Sequence, residues 1–372
     1  MTRIMPEIDA QSVQAALANV THPDFGKPLS TLQLVRDVAV SKGRVSLTVI
    51  CNAPVDSLQR TIQEEIERAL SPLGVSEVHV TWDLQVPMRP TSAEDPVPGV
   101  RNVVLVMSGK GGVGKSTCAA NLTLALSRAG ARVGLLDADI YGPSIPTMLG
   151  VEGHPRANQD KKIIPLERFG IKIMSIGFMI ESDRDAIIWR GPMVQGALLQ
   201  FLGDVAWGEL DYLIVDLPPG TGDVALSLGQ KLKTTGAVMV TTPQEVALQD
   251  VYKGVSMCQK LQIPILGVIE NMSYFVDPAG VRHELFGSGG GQKVAEYADA
   301  PLLGQVPVEP AVRQCGDDGT PIVQADPKAA SAQVFTAITD ALTRGIARTA
   351  FERTGGDRAP DTKAQRRLKI LR

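Results

Sequence analysis

Along the first eighty residues, apolar and polar positions alternate; after residue 100 the apolar positions run together in short blocks. "VSEVHVTW" (75–82) alternates strictly and predicts a half-buried strand. "LQLVRDVAV" and "RVSLTVIC" predict two more strands, with Ser41-Lys42-Gly43 turning between them. "SVQAALANV" has helical spacing, and "SLQRTIQEEIERAL" is an amphipathic helix. The order α-β-β-α-β over residues 1–84 is that of a small α+β domain. "QVPMRPTSAEDPVPG" follows, with prolines at 87, 90, 96 and 98. It predicts a semi-rigid extended linker over 85–99. From Val100 the blocks "NVVLVMS", "RVGLLDA", "KIMSIG", "YLIVDLP", "AVMVTT" and "ILGVIE" are each followed by a loop or a helical stretch. Continuous apolar strands of this kind fit an α/β fold, a doubly wound, mainly parallel sheet covered on both faces, over 100–345. "AASAQVFTAITDALTRGI" predicts a closing helix, and 346–372 a polar, disordered tail whose last nine residues are basic.

Composition narrows the picture modestly. The 372 residues are 44% hydrophobic and 21% charged, with a net charge of -3, so no global basic excess argues for nucleic acid or an anionic membrane. No apolar run reaches 18 residues, and the N-terminus has acids but no apolar signal-like core. Neither nucleic-acid binding nor stable membrane association is expected, and a cytoplasmic location is. The four cysteines, Cys51, Cys118, Cys258 and Cys315, are far apart and form no CxxC, as expected of reduced, mostly buried thiols.

The strongest chemistry lies in "VVLVMSGKGGVGKSTCAANLTLAL". Gly109, Gly114, Lys115 and Ser116 satisfy G-x-x-x-x-G-K-[ST] between a predicted strand and a predicted helix. Glycines let backbone N–H groups curl around phosphate oxygens, and the helix N-terminus adds partial positive charge. The loop Gly109, Lys110, Gly111, Gly112, Val113, Gly114, Lys115, Ser116 and Thr117 is the candidate nucleotide cradle. Lys115 would neutralise the β- and γ-phosphates of ATP, and the Ser116 hydroxyl would ligate Mg2+. "LLDADIYGPSIPTMLG" places Asp137 and Asp139 after the second strand of the larger domain, where carboxylates face the ligand crevice. One of the two could hold or polarise the attacking water and the other organise Mg2+. In "YLIVDLPPGTGD", four apolar residues lead to Asp216, a candidate to hold Mg2+ through a water. The loop from Pro218 through Gly220 to Gly222 could sense the γ-phosphate through a backbone N–H.

The stretch "GKGGVGKST", with its second lysine, resembles the deviant Walker A motif of the MinD/ParA-like P-loop NTPases. Together with "LLDADIYGPSIPTMLG", "WRGPMVQGAL", "DYLIVDLPPGTGD" and "IENMSYF", it resembles the Mrp/ApbC branch, the iron–sulfur cluster carrier ATPases, over about 100–345. The N-terminal block is similar to the small Fe–S assembly domain carried by bacterial members, on "VTHPDFGKPLSTLQLVRDV" and the strand order. The resemblance implies an ATP-hydrolysing homodimer that delivers clusters to apo Fe–S client proteins. It implies that Lys110 acts in trans on the partner's nucleotide and that Asp139 positions the attacking water. It further implies that the Asn271 amide reads adenine and that Pro307, in "GQVPVEPAVR", lines the base pocket. Trp189-Arg190-Gly191-Pro192 is expected to pack the sheet or the dimer face.

One departure stands out. Many carriers have a C-x-x-C shortly after "ENMSYF", and two such pairs supply the thiolates of a bridging 4Fe–4S cluster. Here "VDPAGVRH" puts Asp277 and Gly280 near those places. A turn built by Asp-Pro-Ala-Gly, with His283 on the surface, is the expectation, and the Fe–S ligands stay unassigned. Cys51 is expected to end a buried strand, Cys118 and Cys258 to pack in the core, and Cys315 to lie in a loop. "FGSGGGQK" is expected to be a flexible lead into a helix. Two alternatives to a carrier remain open: an ATP-gated assembly chaperone without its own cluster, and a positioning ATPase that would want a membrane helix or a DNA-binding patch.

Overall fold

The computed structural model describes residues 9–41, 43–140, 142–179, 191–220 and 231–355, with the backbone alone given for 191–195. The chain divides into two compact units, residues 1–88 with 343–372, and residues 89–342. Among the described residues, no helix is long and apolar enough to cross a membrane.

In the smaller unit, the strands Val35–Ser41, Arg44–Cys51 and Glu77–Leu84 form one sheet in that order, the first pair antiparallel and the second parallel. A parallel pair needs a crossover, and the helix Asp56–Leu70 supplies it. Its buried Leu58, Ile62, Ile66 and Leu70 recur every fourth residue, so all four face the sheet. Each contributes about 1.5–3 kcal/mol of burial. The helix Ala10–Leu17 adds Val13 and Leu17 to the same core.

The chain's last helix, Ala330–Arg353, corrects the expected tail boundary at residue 346. Its apolar positions continue past Ile346, and Ala347 and Phe351 pack against the small unit's core. His22, Phe25 and Phe351 stack with ring centroids 4.1 Å and 4.4 Å apart. Arg344 Nε donates to both carboxylate oxygens of Asp24 at 3.0 Å. Of the expected tail, residues 356–372 lie outside the described residues.

The larger unit is built on an eight-stranded sheet. Its order is Leu302–Gln305, Ile265–Glu270, Gly236–Thr241, Val100–Ser108, Leu210–Asp216, Val133–Asp137, Ile171–Ser175 and Leu166–Arg168. Every pairing is parallel except the last, at one edge. The inner strands are buried along nearly their whole length, which is why they read as unbroken apolar blocks. The chain leaves the central strand, skips a position to Val133–Asp137, and later returns to fill the gap with Leu210–Asp216. Such a reversal opens a crevice at the carboxyl ends of the strands.

The proline-rich segment is less open than an extended linker. Arg89 is buried; its guanidinium donates to Asp95 at 2.5 and 2.9 Å and to the carbonyls of Val97 and Lys233. From Arg89 onward the segment belongs to the larger unit. A buried guanidinium needs these acceptors, so the pair fixes the chain's path rather than leaving a free spacer.

His22 gives the small unit a pH dependence. Burial pushes its pKa down to about 4, against the opposing pull of Asp24. The unfolded chain therefore binds the proton more readily, and stability falls as pH drops from the ordinary histidine value toward 4. A loss of about 2 kcal/mol is expected between about pH 7.5 and about pH 5. Urea titrations of the full chain, read by amide exchange in residues 10–84, should show it, and His22→Asn should flatten the slope.

Candidate nucleotide site

The strand Val100–Ser108 delivers the chain to the crevice, and the helix Lys115–Arg128 carries it away. Between them Gly112 and Gly114 have φ of 80° and 81°, the left-handed region that favours glycine. Gly109 is glycine for another reason. A Cβ there would lie 2.3 Å from the Val251 nitrogen, so the loop is pressed against the helix Glu245–Lys260. Gly111, by contrast, has open space around it. The Ser108 hydroxyl donates to the Lys110 carbonyl at 3.0 Å. Lys110 itself is half-buried, Val113 is buried, and Thr117 is half-buried beside the helix start.

Lys115 is 6% exposed and lies among carboxylates. Its Nζ donates to Asp216 Oδ1 at 2.6 Å, stands 3.4 Å from Asp139 Oδ2 and 3.3 Å from Ser116 Oγ. The other oxygens, Asp216 Oδ2 and Asp139 Oδ1, are buried without a hydrogen-bond partner. Sheet register explains the convergence: Asp216 pairs with Asp137 across neighbouring strand ends. Burial raises the Asp216 pKa, and Lys115 opposes the rise.

The structure separates the two aspartates that the sequence leaves undivided. Asp137 is committed to the protein. Its Oδ1 accepts the Asp139 N–H at 3.1 Å, and its Oδ2 accepts the Ile145 N–H at 3.3 Å and the Ser175 hydroxyl at 2.9 Å. Burial pushes its pKa up to about 8, aided by the charge on Asp216 and opposed by Ser175 and the Asp139 amide. Asp137 shapes the turn, and Asp139 faces Lys115.

At the other end of the crevice, Asn271 Nδ2 donates to the Val113 carbonyl at 2.8 Å. Asn271 therefore buttresses the phosphate loop, a contact that sequence reading missed. Pro307 is buried in a segment that bonds alongside it: Val306 N–H donates to the Glu270 carbonyl and Val308 N–H to the Tyr274 carbonyl. Gly220, with φ of 89°, donates its N–H to the Ser108 carbonyl at 2.9 Å, so this donor is engaged within the protein. Thr221 and Gly222 lie outside the described residues, as do Trp189 and Arg190; Gly191 and Pro192 begin the helix Gly191–Gly203.

The segment after "ENMSYF" is a short hairpin, Phe275–Val276 against Arg282–His283. Asp277 Oδ1 accepts the N–H groups of Ala279 and Val281 at 2.9 Å, and Oδ2 lies 2.8 Å from His283 Nε2. These bonds, led by the one to His283, hold the Asp277 pKa below the usual carboxylate range. Among the described residues no three His, Cys, Asp or Glu side chains gather as a metal site. Cys51, Cys118 and Cys258 are buried, and burial raises each thiol, Cys51 to about 12 and Cys258 to about 11. Cys315 is partly exposed within the helix Pro310–Asp317, not in a loop, and its pKa is also raised, by desolvation first.

The glycines of "FGSGGGQK" are a correction to the flexible lead. Gly289 caps the helix Gly290–Ala298 with φ of 76°. A Cβ on Gly290 would come 2.4 Å from the Pro243 carbonyl oxygen, and one on Gly291 2.7 Å from the Glu270 Cβ. Close approach, not flexibility, selects them. Glu270, fully buried and passed over in the sequence, is what Gly291 packs against. Its signal was a charge closing an unbroken apolar strand, the same signal that marks Asp216. Ser175 carried no signal.

Space at the loop glycines gives a paired test. Gly109→Ala should destabilise the larger unit by about 2 kcal/mol, because the obstacle is helix backbone. Gly111→Ala should leave stability within about 0.5 kcal/mol of wild type. Denaturant unfolding of both variants checks the contrast.

Comparison with known proteins agrees with this geometry. Residues 99–343 match the ParA family model described as NUBPL iron-transfer P-loop NTPase, and residues 10–82 match a model of iron–sulfur cluster assembly proteins. An iron–sulfur cluster carrier protein of Synechocystis sp. is 45% identical over 339 residues, 89% of this chain and 96% of the relative. One of Escherichia coli strain K12 is 39% identical over 90% of this chain and 92% of its own length. A solved nucleotide-binding protein from Archaeoglobus fulgidus, in complex with ADP, is 39% identical with a TM-score of 0.53, over 62% of this chain and 92% of its own. The chain belongs to the iron-transfer P-loop NTPase family, and its larger unit is an ATPase domain of the ParA-like family joined to an iron–sulfur assembly-type unit.

Proposed function

We propose that this protein binds and hydrolyses ATP as a homodimer and serves the delivery of iron–sulfur clusters to apoproteins, the cluster being its cargo. The observation that carries the ATPase reading is Lys115, held between Asp216 and Asp139 at the mouth of a glycine loop. Its ammonium lies where β- and γ-phosphate oxygens would arrive at the helix N-terminus. Phosphate binding would draw Lys115 from Asp216 and free that carboxylate.

Mg2+ fits the residues present. Asp216 Oδ2 and Asp139 Oδ1 are buried acceptors without partners, and Ser116 Oγ lies beside them. Ser116 would hold the ion directly and Asp216 through water; the ion, when bound, offsets charge on the phosphate oxygens. Asp139 takes the water-positioning role, because it lies beside Lys115 with one oxygen unpartnered while Asp137 is spent on its own turn. Asn271 and Pro307 would border the base, and Lys110 would reach the partner's nucleotide. The proposed compartment is the cytoplasm, which suits four free cysteines.

The support for cluster delivery is the family and the names of its relatives, together with the assembly-type unit. A 4Fe–4S cluster does not fit the described residues of one chain. The hairpin offers Asp277 and His283, already bonded to each other, and three of the four thiols are buried. That observation favours a second reading, an ATP-gated assembly chaperone that docks clients without holding a cluster.

Lys115→Ala should lower ATP hydrolysis by about 10²-fold or more, measured as phosphate release; wild-type turnover in the variant would refute the active site. ATP-dependent dimerisation by light scattering should be lost in Lys110→Ala. Anaerobic reconstitution with iron and sulfide separates the cargo readings: bound iron with cluster absorption supports the carrier, and protein without iron supports the chaperone.

A further inference from the structure

Glu270 ends the strand Ile265–Glu270 with a fully buried carboxylate that the proposed reaction does not use. Its Oε1 accepts the Ser273 hydroxyl at 2.5 Å and the Gln305 amide at 2.8 Å. Its Oε2 accepts the Gly291 N–H at 2.5 Å, in the first turn of the helix Gly290–Ala298. These donors and the helix end replace water around a buried charge.

The sequence positions of the donors are informative. Ser273 stands just before the excursion of residues 274–290, and Gly291 just after it. One carboxylate therefore holds both ends of the segment that carries the hairpin. That segment exposes Val276, Val281, Leu285 and Phe286, each 39–56% accessible. The adjacent residue, Asn271, holds the phosphate loop through the Val113 carbonyl. There is no slack at that contact: a Cβ on Gly114 would stand 2.1 Å from Asn271 Nδ2. A turn of the Val113–Gly114 peptide on phosphate binding must therefore displace or tighten Asn271. The Asn271 N–H is tied to the Thr241 carbonyl, and Asn271 shares its peptide bond with Glu270, so the two side chains sit on one anchored stretch of backbone.

We propose that Glu270 is a positioning residue that couples occupancy of the phosphate loop to the conformation of residues 274–290, with Glu270 and Asn271 as the link. The inference rests on the nucleotide-site reading above. Coupling is reciprocal, so whatever engages the exposed hairpin changes nucleotide affinity by the same factor.

Hydrogen–deuterium exchange of the full chain, with and without Mg2+-ATP, tests this. In wild type, ATP should slow exchange in residues 109–117 and change it by about fivefold or more in 274–291, the low end of ordinary coupling. Glu270→Gln keeps the shape but removes the charge and leaves one oxygen acceptor to serve both ends of the segment. It should keep the response at 109–117 and lose the response at 274–291. Should that variant fail to fold, Ser273→Ala removes the front anchor alone and should weaken the hairpin response in the same way. A wild-type hairpin indifferent to ATP, with 109–117 protected, overturns the coupling and leaves the nucleotide site standing. A hairpin response unchanged in the variants overturns the role of Glu270. No protection at 109–117 overturns both readings.

Discussion

The larger unit depends on one electrostatic constraint: Lys115 must sit, nearly buried, against Asp216 and Asp139 at the ends of parallel strands. Charges out of water are costly unless paired, and their pairing in a low dielectric is strong only when geometry is held firmly. The sheet supplies that firmness. Register sets Asp216 beside Asp137, the central strand feeds the glycine loop, and Gly109 lets the loop lie on a neighbouring helix. The position of each strand thereby becomes a condition for the charge cluster.

Sequence reading reached most of this architecture. The alternation in 75–82 and the apolar blocks after residue 100 encode burial on one face or two, and burial is what sheets impose. The phosphate loop was legible because its chemistry needs glycines, a lysine and a hydroxyl at fixed spacing. Three things were not legible. The division of labour between Asp137 and Asp139 depends on which carboxylate finds Ile145 and Ser175, contacts eight and thirty-eight residues away. The glycines before Gln292 resemble a flexible lead, yet Gly290 and Gly291 are small because Pro243 and Glu270 approach them, and Gly289 because its φ is positive. The last helix runs past the polar boundary because Phe351 stacks on Phe25, itself stacked on His22, more than three hundred residues earlier.

The hairpin after Asn271 shows the same limit from another side. Without its Asp277–His283 bond, the segment could be read as a pair of oxygen and nitrogen ligands awaiting metal. With it, Asp277 is a turn former, holding two backbone N–H groups and one imidazole. Both oxygens of that carboxylate are already serving the fold.

Satisfaction of buried carboxylates sorts the strand ends into two kinds. Glu270 has three donors and a helix end around it, so its carboxylate is settled within the chain. Asp137 is also settled, by two amides and a hydroxyl, at the cost of a raised pKa. Asp216 and Asp139 are not: each keeps one buried oxygen with no partner, and they share a single lysine. Protein interiors rarely leave such acceptors empty, because each costs about 1–3 kcal/mol. Unsatisfied carboxylates around one shared cation mark the place where a ligand completes the structure, whereas the satisfied ones hold that place in shape. By this criterion Asp139 and Asp216 are the carboxylates left open to a ligand, and Asp137 and Glu270 belong to the frame that holds them in place.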